Sequence, residues 1–297
     1  GKGAALVTAT PVPSTTSGGT PQAGPAAPPS WLRIARAAWM AWAVLVVSLF
    51  VAGLPANFDQ LHRPCIPPVC VEGQPTQEGF RLLQDGGAVD SYALYFITLL
   101  CVFAAVHVAI GAFIFVRKPD DQLALFVAFT LVTFGVVTYA GSLDLLAQAH
   151  PVWWLPVQLI TFSGSVSLVV FLFVFPSGRF VPRWSRWLTL AWIAREALRY
   201  FFPASPISPA AWPSGLSDLS FVGTVGTGLL AQVYRYRRTS DTVHRQQTKW
   251  VVFGVAAGLG GLLILGFLLT AVPTLEQDLL IWWAVRTAFP SLLLLIP

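Results

Sequence analysis

Seven apolar runs of the length a helix needs to cross a bilayer's hydrocarbon core, about 20 residues, recur along this chain. They cover residues 37–54, 92–116, 123–143, 153–175, 215–234, 250–272 and 279–297, with polar, arginine-bearing connections between them. An eighth run, 187–202, is shorter and carries Arg195, Glu196 and Arg199. Only 10% of the residues are charged, 55% are hydrophobic and the mean hydropathy is +0.68. A soluble domain carries about 25% charged residues, so lipid must cover much of this surface. The expected fold is all-α: a polytopic transmembrane bundle of about eight spans with one small external loop.

Orientation follows from the placement of basic residues, which collect in cytoplasmic loops. Arg33 and Arg36 precede the first run, and Arg117 and Lys118 follow the second. Arg179, Arg183 and Arg186 follow the fourth, while Arg235, Arg237, Arg238, Arg245 and Lys249 precede the seventh. All four clusters fall on one side only if 187–202 crosses, and the other side then keeps Arg63 and Arg81. Both chain ends are therefore expected in the cytoplasm, with cytoplasmic loops at about 117–122, 176–186 and 235–249. The net charge of +5 is spread over these loops, a topology signal and no nucleic-acid stripe. The location implied is the plasma membrane, and the lipid bilayer is the first partner.

Residues 1–30 are Pro, Gly, Ser, Thr and Ala with almost no charge, too little apolar surface to fold, so a disordered tail is expected. The remainder, 31–297, reads as one transmembrane unit. A cleaved signal peptide is the rival reading of the first run; its Trp-rich core and distance from the start favour a retained anchor. The chain lacks an initiator Met and stops within SLLLLIP, so a fragment of a longer protein is expected.

The external segment, about 55–91, holds Cys65 and Cys70 in the string CIPPVC. An oxidising outer compartment favours a small-loop disulfide. Zinc is disfavoured, since only His62 stands near, and two free thiols are the remaining alternative. A short helix near 76–85 could lie on the membrane surface. At this length the loop is too small for an autonomous enzyme domain.

Two cytoplasmic strings carry more information: FPSGRFVPRW, from Phe175, and RYRR followed by RQQTKWVVFG, from Arg235. They resemble the multi-span N-terminal input region of bacterial sensor histidine kinases, of Chloroflexi-like and related Gram-positive lineages, with competence-pheromone receptor kinases as more distant likenesses. The resemblance runs from about Trp39 onward. It implies that the last span feeds a cytoplasmic output domain, that a homodimer forms, and that a response regulator is reached only through that output domain. No phosphoacceptor box or ATP box occurs in the chain, His244 stands in the wrong surroundings (TVHRQQ), and no catalytic residue, metal or cofactor is carried over.

Charges within apolar runs mark candidate sites, because ionised groups at the bilayer centre cost about 2.5–3.5 kcal/mol on insertion scales. Glu196 and Arg199 are spaced to pair on one helix face, and the net positive remainder of Arg195, Glu196 and Arg199 suits an anionic ligand group. A structural ion pair is the plainer reading and the preferred one. Arg286 could complete such a pocket or extend to the outer headgroups. His107 reads first as a helix-to-helix hydrogen bond and second as a ligand. Gly254, Gly258 and Gly261 form a small-residue packing face, either within the bundle or at a dimer seam. A sensory input module ranks first, a small-molecule transporter or channel second. A membrane enzyme ranks last, for want of HExxH, GxSxG, P-loop or paired intramembrane aspartates.

Overall fold

The computed structural model describes residues 30–66, 70–238 and positions 253, 254, 257, 258, 260, 261 and 264. Among these the architecture is all-helical. The helices are α1 (Ser30–Leu61), α2 (Gln77–Asp85), α3 (Val89–Arg117), α4 (Gln122–Val137), α5 (Gly141–Ala149), α6 (Trp154–Val174), α7 (Ser185–Phe201) and α8 (Ser214–Arg238). Three stretches are long and apolar enough to cross a membrane: α1, α3 and Pro151–Val174. The pair α4 and α5 makes a fourth if it counts as one broken span. The 17-residue α7 and the more polar α8 fall outside that set. Most of run 250–272 and all of 279–297 lie outside the described residues, as do residues 1–29.

The outer surfaces suit lipid. Ile34, Val44, Val51, Leu94, Phe113 and Val116 are all more than half exposed on α1 and α3, an apolar jacket that water would not tolerate. Inward, α3 buries Tyr92, Phe96, Leu100, Phe103, His107 and Gly111, a stripe at helical spacing. It packs on α4, where Gly135 receives the His107 side chain; a Cβ there would lie 2.4 Å from that of His107.

Two run boundaries differ from the sequence reading. The first helix does not stop at Leu54 but passes through Pro55 to Leu61. Asn57 and Leu61 are buried, and this packing holds the extra turns despite the proline. The run 123–143 is not one straight helix: it breaks after Val137 and turns by 70° into α5. The Thr138 hydroxyl donates back to the Phe134 carbonyl at 2.6 Å, a contact that bends helices. The turned backbone is then gripped from α1. Asn57 Nδ2 donates to Ser142 Oγ at 2.8 Å, and Gly53 lies so close that a Cβ would stand 2.1 Å from the Ser142 carbonyl oxygen.

The basic connections share one end of the bundle. Arg36 donates to the Pro119 carbonyl at 2.9 Å and pairs with Asp120, while Trp39 stacks on Phe115 with ring centres 4.1 Å apart. A crevice joins Asp120, Asp121 and Gln122 to Val174 and Gly178, so the α3–α4 turn and the α6–α7 turn are neighbours. The segment between α1 and α3 folds onto the opposite end. Cys65 and Cys70 are bonded to each other, with Cα atoms 5.2 Å apart. The Cys65 N–H donates to the Pro75 carbonyl at 2.7 Å. Buried Gln74 donates to the Arg63 and Pro64 carbonyls and accepts from Val71 N–H. Gly73, at φ +81°, lies flat on the Phe96 ring, where any side chain would collide, and its carbonyl accepts from the Tyr92 hydroxyl. The loop thus seats residues 71–75 as a plug on that end, with α2 packed against α3 beside it.

Candidate functional site

Between α6, α7 and α8 lies a buried polar layer built around Arg195 and Glu196. On α7, Trp192, Arg195 and Glu196 face the bundle. Glu196 is 1% exposed, and a lone ionised carboxylate could not stay charged at that depth. Its Oε1 is paired with the Arg195 guanidinium, and its Oε2 accepts from the Ser165 hydroxyl of α6 at 3.0 Å. Arg195 then reaches α8, donating to Ser217 Oγ at 3.0 Å and to the Ser217 carbonyl at 3.4 Å. The guanidinium also lies over the Trp192 ring, 4.7 Å from its centre, and 5.9 Å from that of Trp212. Such contacts gain strength when desolvated. One side-chain pair therefore ties three helices together.

Helical spacing allows Glu196 to pair with Arg199, but its partner is Arg195. Ser165 and Ser217 supply the remaining hydrogen bonds on that side, whereas Arg199 is exposed, over the Tyr200 ring and within electrostatic reach of Asp144 on α5. Arg195 Nε–H and the Trp192 indole N–H have no hydrogen-bond partner among the described residues. The layer keeps donor capacity that a carboxylate, phosphate or water could use.

His107 stands apart from this layer. It is fully buried between α3 and α4, between the Phe103 and Phe134 rings, with Nδ1 2.9 Å from the Phe103 carbonyl of its own helix. Its Nε2 has no partner among the described residues. Arg286 lies outside the described residues. Gly254 and Gly258 are buried and helical, Gly261 half-buried, while Phe253 and Ile264 are exposed. No group of three His, Cys, Asp or Glu side chains that could hold a metal ion occurs among the described residues.

Sequence reasoning overlooked three features. Arg235 counted only as loop charge, yet it is 3% exposed and hydrogen-bonds the carbonyls of Phe173, Phe175, Arg179 and Val181. Its neighbour one turn back, Gln232, donates to the Leu172 and Phe175 carbonyls at 2.6 and 3.0 Å. Together they cap the C-terminus of α6, whose last carbonyls have no intrahelical donors. The signal was a Gln and an Arg three apart at the end of an apolar run. The third feature is Glu72. Its carboxyl lies against the Gly141 N–H that opens α5, and the crowd of protein atoms around it raises its pKa even though part of the side chain is open to the outside.

No protein-family model, curated protein or solved structure matches this chain.

Proposed function

We propose that this chain is the membrane-embedded input module of a two-component sensor histidine kinase, crossing the plasma membrane about eight times with both ends in the cytoplasm. One observation carries the reading. The two strings that resemble kinase input regions, FPSGRFVPRW and RYRR, are bound to each other, Arg235 of the second holding the carbonyls of Phe175, Arg179 and Val181 in the first. Words far apart in sequence form one structural unit at the basic end of the bundle. A shift of α6 or α7 is thereby delivered to α8, and onward to the helices that lead out of the membrane. Displacements of about 1–2 Å between helices are an adequate signal.

The gathered basic residues support the orientation. The tie from Arg195 and Glu196 to Ser165 and Ser217 supports a sensing core, because any ligand or strain that disturbs it moves three helices at once.

The test uses the full-length protein in nanodiscs supplied with ATP. Phosphate should be incorporated on histidine, in an acid-labile and base-stable form. The coding sequence beyond Pro297 should run into a linker, a dimerisation helix and an ATP-binding domain. A reading frame that ends shortly after Pro297, with no phosphate uptake, overturns the proposal.

A specific observation favours a second reading, a transporter or channel. The break between α4 and α5 resembles the discontinuous helices that transporters use at their sites. Solute flux into proteoliposomes that is abolished by Asn57→Ala, with no phosphorylation, would establish it.

A further inference from the structure

An apolar groove of about 520 Å³ opens at the basic end of the bundle, between the start of α7 and the last turns of α8. Its walls are Pro182 and Trp184 on one side and Thr227, Leu230, Ala231 and Tyr234 on the other. Thr227 to Tyr234 spans about 10 Å of helix, so the groove runs from the end of the bundle roughly two turns toward its middle. Leu230 is 70% exposed, Trp184 54% and Tyr234 47%, so the groove opens sideways from the bundle. In a membrane that opening meets acyl chains, and its mouth, with one Trp and one Tyr, sits at headgroup level.

The rim is cationic. Arg183 stands between the lining residues Pro182 and Trp184, and Arg186 follows within one turn, its guanidinium 5.0 Å from the Trp187 ring centre. Both arginines are exposed, and neither forms an ion pair among the described residues. Arg235, one turn below, is already committed to backbone carbonyls and holds the rim segment in place. The groove accepts hydrocarbon, and the rim seeks a phosphate that stays in the headgroup layer.

The geometry points to a binding site for one anionic glycerophospholipid, with an acyl chain along Leu230 and Ala231 and the phosphate at Arg183 and Arg186. The lipid would bridge α7 and α8 at the segment clasped by Arg235, so lipid charge would bear on the same joint that the proposed function uses. The site rests on a membrane-embedded basic end and not on a downstream kinase.

Native mass spectrometry of the delipidated full-length protein, with phosphatidylglycerol or phosphatidylcholine added, tests it. Phosphatidylglycerol should be retained in preference, and each of Arg183→Gln and Arg186→Gln should lower its affinity by about fivefold. Leu230→Trp, which fills the groove, should weaken both lipids. A control that removes more charge from the same end than either variant does, Arg33→Gln with Lys118→Gln, should leave the preference intact. Circular dichroism and gel filtration of each variant show that it is folded. Three results overturn the site: equal retention of the two lipids, a control as damaging as the Arg183 and Arg186 variants, or displacement of the lipid by inorganic phosphate alone. Phosphorylation of the same samples is read separately, so failure of the lipid site and failure of the kinase reading are told apart.

Discussion

Arg235, near the end of α8, donates from its guanidinium to the Val181 carbonyl at 3.0 Å, closing a gap of 54 residues. The same guanidinium serves Phe173, Phe175 and Arg179, so the segment that leaves α6 is wound around one side chain. Backbone acceptors at a helix C-terminus need donors, and a buried cation supplies several while answering the negative end of the helix dipole.

Replacing Arg235 by Ala should therefore destabilise the protein by about 3 kcal/mol, since an unsatisfied buried group costs about 1–3 kcal/mol and a bond to a charged donor is worth about 1.5–3. Arg235→Lys should recover only part, because one ammonium cannot reproduce the planar fork. Thermal unfolding in detergent gives the number. If the Ala variant melts with the parent, Arg235 is not the clasp.

Glu196 offers a sharper test of the inner layer. Glu196→Gln keeps the shape but leaves the Arg195 charge buried without its counter-ion, for an expected loss of about 3–5 kcal/mol. Replacing Arg195 and Glu196 together by methionines should restore much of that stability, because an apolar pair of similar volume is often as good as the ion pair it replaces. A double-mutant cycle read by thermal unfolding separates pairing from packing. Glu196→Gln with unchanged stability and unchanged signalling would remove this layer from both the structural and the sensing account.

Hydropathy and charge parity made most of the helical frame legible. The weak run 187–202 is the instructive case: its charges argue against a span, whereas the placement of Arg179 and Arg235 asks for a crossing there; α7 occupies the run as a 17-residue helix, outside the set long and apolar enough to cross. Hydropathy is blind to the break after Val137, because every residue around it is apolar or small. At the bend Thr138 bonds its own helix, and Gly53 lets α1 approach the turned backbone. The choice of Arg195 over Arg199 was equally hidden. Spacing on α7 allows Glu196 to meet Arg199, but the decision belongs to Ser165 and Ser217 on neighbouring helices. The role of Arg235 is hidden for the same reason: its acceptors lie at the end of α6 and in the loop after it, more than fifty residues away.

The glycines give a contrast with opposite signs. A Cβ on Gly53 would stand 2.1 Å from the Ser142 carbonyl oxygen, which is backbone and cannot swing aside. Gly53→Ala should cost about 1–3 kcal/mol, the range for overpacking, and should disturb the Asn57–Ser142 bond. Gly223, exposed on α8, has open space around its Cβ position. Gly223→Ala should be neutral or stabilising by up to about 1 kcal/mol through helix propensity. Equal destabilisation of the two by thermal unfolding would mean that α8 is covered at Gly223, as at a dimer seam.

His62 carries the pH dependence of the end of the bundle where α1 meets α3. Its Nδ1 lies 2.8 Å from the Phe58 carbonyl and its Nε2 2.9 Å from the Asp90 carboxylate. The Phe58 carbonyl is the largest influence and raises the His62 pKa above the ordinary 6.5; burial opposes it, and Asp90 raises it further. A histidine held above its unfolded value favours the folded state when protonated. That stabilisation is complete below the ordinary value and is lost as pH rises through the folded one. The tie between the end of α1 and the start of α3 should therefore loosen on going from mildly acidic to alkaline conditions. Asp90→Asn removes one of the raising influences, so His62 should titrate at lower pH, while the Phe58 contact keeps part of the shift. Histidine-selective NMR of the labelled protein, assigned with a His62→Gln variant, follows the ring directly. If Asp90→Asn leaves the titration where it was, the contact between these two residues does not form in the membrane-bound protein.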